Sequence, residues 1–156
     1  MSVTQAGDIL GILEASRDVL AGIDGILSAW VLTPTVGPDD PLMLPAAMQH
    51  ISLDELEPHS ITYATSLEVI DYQWIVDIVV PRTNDLRADQ EAVMAFVPKV
   101  TEAYREHITL GTAVVKRCLP VNFRLVTVTL GKETYFAGRF RIQAHAKHAV
   151  EIRSTP

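Results

Sequence analysis

The stretch at 122–152, NFRLVTVTLGKETYFAGRFRIQAHAKHAVEI, leaves this chain few architectures. It reads as two long strands joined by a tight turn. Phe123, Leu125, Thr127 and Thr129 alternate with Arg124, Val126, Val128 and Leu130. Gly131-Lys132 supplies a two-residue turn with glycine first, which suits a type II′ hairpin because only glycine takes that positive φ cheaply. On the return strand Phe136, Gly138, Phe140, Ile142, Ala144 and Ala146 share one face, and Arg139, Arg141, Gln143, His145 and Lys147 the other. A hairpin with one apolar face must bury it, most often against a helix.

Two stretches supply the helices. From Thr4 to Ala21, Ile9, Ile12, Leu13, Ser16, Val19, Leu20 and Ile23 follow three-and-four spacing, with Ser16 the one polar member. Gly22 and Gly25 bracket its end, as a left-handed cap requires. A second helix, Leu86 to Ile108, is capped by Asn84 or Asp85 and stopped by Gly111. Its stripe is Leu86, Val93, Phe96 or Val97, Val100, Ala103 or Tyr104, and Ile108. Pro98 removes one backbone hydrogen bond there, so a bent helix is expected.

Further strands are expected at 26–32, 46–51 and 113–119. A longer strand region runs from Ile61 to Pro81, where Ile61, Tyr63, Leu67 and Val69 have one parity and Tyr72, Trp74, Val76, Ile78 and Val80 the other. The switch places a bulge or a tight reversal near Ile70-Asp71. Ile75 and Val79 make the second half apolar on both faces, which suits a central strand. Asp77 interrupts it and is either on the open face or paired. The expected fold is α+β: a mostly antiparallel or mixed sheet with two helices on one face. At 156 residues it makes a single domain, 1–156. Prolines 34, 38, 41 and 45 mark an exposed, stiffened loop at 33–45, long enough for a contact role, with Asp39, Asp40, Leu42 and Met43 as its candidate partner residues. An acidic turn follows at 52–58.

Net charge is −6, which argues against a general nucleic-acid binder. The N-terminus has no basic, apolar leader pattern, and no run approaches the ~18 apolar residues of a membrane span. Chemistry is sparse. Cys118 is the one cysteine, so no intramolecular disulfide forms. Lys116 and Arg117 beside it favour a thiolate, but the packing role of a small apolar residue is the simpler reading. His145 and His148 fall on opposite faces of a strand and do not converge on a metal. Asp39, Asp40, Asp54, Glu55 and Glu57 read as exposed loop acids. Neither a catalytic set nor a cofactor motif is present. The most directional charge feature is the stripe Arg139, Arg141 and Lys147, which can meet an acidic partner surface or a passing phosphate backbone.

The order of elements resembles the tail terminator (tail completion) proteins of long-tailed bacteriophages. The amphipathic helix DILGILEASRDVL leads through a short strand into a Pro-rich loop and the LPAAMQHI segment. The apolar strand YQWIVDIVVP then precedes the second helix, and YFAGRFRIQA carries an aromatic–Gly–aromatic pattern on the last strand. The resemblance implies a non-enzymatic virion protein, assembled in the host cytoplasm, that forms a homo-oligomeric ring, typically a hexamer. Such a ring caps the tail tube, ends its polymerisation and joins tail to head or neck proteins, while DNA passes through without specific recognition. No membrane and no cofactor are implied. The implied subunit contact is heterologous, using unpaired strand edges. Alternative readings are another head–tail connector or neck protein, a small cytoplasmic enzyme using Cys118, and a monomeric module that binds through the Pro-rich loop.

Overall fold

The computed structural model describes residues 9–32, 34, 43–51, 61–64 and 67–149, with the backbone alone at 61–64, 67–70, 148 and 149. The elements are α1 (Ile9–Ala21), β1 (Ser28–Trp30), β2 (Ala46–His50), β3 (Ile61–Ala64), β4 (Leu67–Val79), α2 (Leu86–Glu106), β5 (Val115–Leu130) and β6 (Glu133–Ala149). The sheet runs β1-β2-β4-β6-β5, with β3 also paired to β4. β1 and β2 are parallel and every other pair is antiparallel. The fold is α+β with a mixed sheet.

Both helices pack on one sheet face. Ile12, Leu13 and Leu20 of α1 and Val93, Val100 and Tyr104 of α2 share one core with the even-numbered Trp74, Val76, Ile78, Phe140, Ile142 and Ala144. Ser16 lies on the buried stripe of α1 because its hydroxyl meets the Tyr104 hydroxyl at 2.5 Å, tying α1 to α2. Gln49 does similar work from β2. Its amide donates to the Leu13 carbonyl at 2.9 Å and accepts from the Trp74 indole at 3.0 Å. These buried polar groups are satisfied, as burial demands.

Local signals explain the helix ends. After α1 the Gly22 and Ile23 amides bond back to Val19 and Leu20, and of the two glycines it is Gly25 that takes a positive φ, 95°. Asp85, not Asn84, caps α2, accepting from the Arg87 and Ala88 amides. Asp89 is buried one turn later, where it receives the Thr83 amide and, at 2.6 Å, its hydroxyl. The stripe of α2 resolves to Asp89, Val93, Phe96, Val100 and Tyr104, whereas Leu86 and Ile108 are exposed. α2 continues through Pro98. Pro98 and Met94 are both exposed, so the carbonyl that proline leaves without a donor faces the solvent side.

Two expectations about strands are corrected. The parity switch is not at Ile70-Asp71, where β4 keeps unbroken register with β6. The reversal falls between Ala64 and Leu67, which pair with each other as β3 turns into β4. Nor is there a separate linking strand at 113–119. β5 is one strand from Val115 to Leu130, with register shifts at Val115/Arg117 and Pro120/Asn122. Pro120 cannot donate to a ladder, and an edge strand with a bulge tolerates it. At the hairpin tip Gly131 has φ 63° and Lys132 does not share it, as a type II′ turn requires. The central position expected for the second half of β4 is met, since residues 74–80 are all buried.

Candidate functional surface on the sheet face away from the helices

The odd-numbered residues of β4 and β6 face away from the helices. Cross-strand register sets Asp77 opposite Arg139, Ile75 opposite Arg141, Gln73 opposite Gln143 and Asp71 opposite His145. Directly opposed side chains in an antiparallel pair sit ~5 Å apart at Cβ, within reach of one another. Arg139 accordingly donates from Nε to Asp77 Oδ1 at 2.9 Å and from Nη2 to Oδ2 at 3.0 Å. His50, from β2, approaches Oδ2 from the other side at 3.1 Å. His145 pairs with Asp71 through Nδ1.

Asp77 is therefore paired. Burial pushes its carboxyl pKa up, but the hydrogen bonds from His50 and Arg139, and then their charges, outweigh that and hold it below the ordinary 3.8. A buried pair of this kind fixes register more than it stabilises, since desolvation offsets much of the attraction. The stripe Arg139, Arg141 and Lys147 does share one face, as its spacing predicts. It is not a row of uncommitted cations, however, because Arg139 is held by Asp77. Arg141 and Lys147 are half-buried, and the Lys147 amide donates to the Val114 carbonyl at 2.7 Å.

One end of the same face is apolar. Ala46, Met48, Val79 and Ala137 are buried there, flanked by Leu44, Val126, Val128, Leu130 and Tyr135. The alternation of β5 held the signal for this second cluster in Val126, Val128 and Leu130. A single buried hairpin face was expected, and both faces carry apolar packing.

The two sheet edges differ. β1 is short, and around it Leu27, Trp30, Leu32 and Met43 are 40–62% exposed. Ser28 Oγ donates to the Met43 carbonyl at 2.8 Å, which brings the end of the Pro-rich loop against β1. The other candidate loop residues, Asp39, Asp40 and Leu42, lie outside the described residues, as do the acidic turn at 52–58 and the side chain of His148. β5 forms the opposite edge, with Lys116, Arg117 and Arg124 exposed on it.

Cys118 points into the helix-covered core, fully buried, and burial pushes its thiol pKa far above the ordinary range. The exposed Lys116 and Arg117 do not offset that, so the thiol is not poised as a nucleophile. Tyr104, nearby, is likewise held protonated, by burial first and then by Cys118. Among the described residues no three histidine, cysteine or carboxylate side chains gather as a metal site, and no helix is long and apolar enough to cross a membrane. No protein-family model matches the chain, and no curated protein matches it either.

Proposed function

We propose that this chain is a structural subunit of a bacteriophage tail, a terminator that closes into a ring, caps the tail tube and joins it to the head or neck. The observation that carries the reading is the exposed apolar patch at the β1 edge. Leu27, Trp30, Leu32 and Met43 leave large apolar side chains in solvent beside a proline-rich loop, and such a patch marks a protein contact. The order of elements supports the same reading. A helix, three short strands, a long central strand, a second helix and a terminal hairpin run along the chain, and apart from the added β3 they keep the order that the resemblance implies.

Negative-stain imaging of the purified protein, alone and mixed with tail tubes, tests the proposal. Rings, or caps on tube ends, are the expected result. Monomers that leave every tube end bare would sink it.

A further inference from the structure

We infer that copies of this chain meet head to tail, the acidic groove between α1 and α2 of one copy receiving the basic β5 edge of the next. The inference rests on the ring reading above in supposing that subunits repeat around an axis.

The groove consists of two adjoining depressions of about 460 and 450 Å³ that share Gly22, Ala103 and Glu106. Its floor is small and apolar, with Ala15, Val19, Ala103 and Leu110. Its rim carries four exposed carboxylates, Asp18, Asp24, Glu102 and Glu106, and one lysine, Lys99; Arg17 pairs with Asp18 and Arg105 with Glu102 at the solvent-exposed surface, where such pairs are weak. Lys99 is turned inward, donating to the Asp24 carbonyl and lying over the Phe96 ring. A floor of small apolar side chains beneath a negative rim fits a segment with apolar side chains between cations.

β5 is such a segment. It carries Lys116, Arg117 and Arg124 and no carboxylate, with Val121 and Leu125 exposed between and beside them. Arg124 stands directly opposite Arg139, a like-charge pairing whose carboxylate, Asp77, lies on the far side of Arg139. Like charges opposed across a ladder are unfavourable, and an anion brought by a neighbour relieves that. Arg117 and Arg124 pair with His145 and Arg139, so they project on the face away from the helices, whereas the groove lies on the helix side. Two different surfaces facing different ways make a heterologous contact, which closes into a ring or continues as a filament.

The test is sedimentation velocity on the full chain and two charge-reversed variants, Glu102→Lys/Glu106→Lys and Arg117→Glu/Arg124→Glu. All four positions are exposed, and circular dichroism checks that each variant folds. At roughly 10 mM salt, where charges act over ~30 Å, the wild type should associate beyond the monomer, and ~1 M salt should disperse it. Each variant alone should associate roughly 100-fold more weakly. Mixing the two variants should restore association, because each then offers the charge that the other's reversed surface needs. Three outcomes overturn the inference: a wild type that stays monomeric at low salt, variants that associate like the wild type, or a mixture that does not recover. Retardation of duplex DNA by a wild type that remains monomeric would overturn it too, by assigning the basic edge to phosphate. The tube-capping test is separate. Salt-sensitive association without capping removes the tail reading alone, and capping by both variants removes the head-to-tail contact alone.

Discussion

Asp77 and Arg139 are 62 residues apart in the chain and form a two-bond charge pair across β4 and β6. Breaking such a pair leaves a buried charge uncompensated, so Arg139→Ala should cost about 3–5 kcal/mol of folding stability in urea. Charge reversal at Arg139 should then unfold the domain rather than only disturb an assembly surface. The depressed Asp77 pKa has a signed consequence. A carboxyl whose folded pKa is lowered contributes stability that is present above its unfolded value, near 3.8, and lost as pH falls through the folded value. Wild-type stability should decline below pH ~4, and Asp77→Asn, already weakened at neutral pH, should decline less steeply over that range. Equal acid slopes in the two proteins would place the acid-sensitive group elsewhere. Phe140 is a different case, an apolar anchor only 2% exposed. Phe140→Ala should lose about 3–5 kcal/mol in denaturant unfolding, and a loss below ~1 kcal/mol would contradict its place in the core.

At the scale of elements, α2 lies close on β6 because Gly138 has no side chain. A Cβ there would stand 2.9 Å from Phe123 Cε2 and 3.0 Å from Val93 Cγ1. Gly138→Ala should therefore destabilise by about 1–3 kcal/mol by forcing α2 and the hairpin apart, measurable as a lowered urea midpoint. An unchanged midpoint would show that Phe123 moves aside freely. The aromatic–Gly–aromatic run was legible in the sequence, and so were both helix stripes, because periodicity is a local property. What the sequence concealed was non-local or masked by an irregularity. No glycine, proline or asparagine stands in the sequence between Ala64 and Leu67, so the parity change shows only further along. Pro120 and the two bulges broke the alternation of β5 and made one strand look like two. Arg139 read as an open-face cation because its carboxylate lies on β4, which α2 and β5 separate from β6 in the chain. Val126 and Val128 read as the wrong side of an amphipathic hairpin, although their face has an apolar end of its own.

At the scale of the whole molecule, charge and apolar surface are unevenly placed. Acid lines the helical groove, base lines the β5 edge, and exposed apolar side chains collect at β1. Trp30→Ala should cost only about 1–2 kcal/mol and leave the domain folded, since the residue is 40% exposed. The same variant should reduce the fraction of tail tubes that carry a cap, counted in electron micrographs. Full capping by a folded Trp30→Ala protein would move the contact away from the β1 edge.

β6 is bonded to β4 over residues 137–149 and to β5 over residues 133–146, so Ala137–Ala146, roughly 33 Å of chain, is held on both flanks. Ladder hydrogen bonds run across the strands. Tension along β6 must shear both ladders together, whereas a sideways pull at the free edge unzips β5 one bond at a time. The molecule is thus mechanically anisotropic, a stiff strut lengthwise and a peelable seam crosswise. The direction in which β6 is mounted decides which of the two a load would meet.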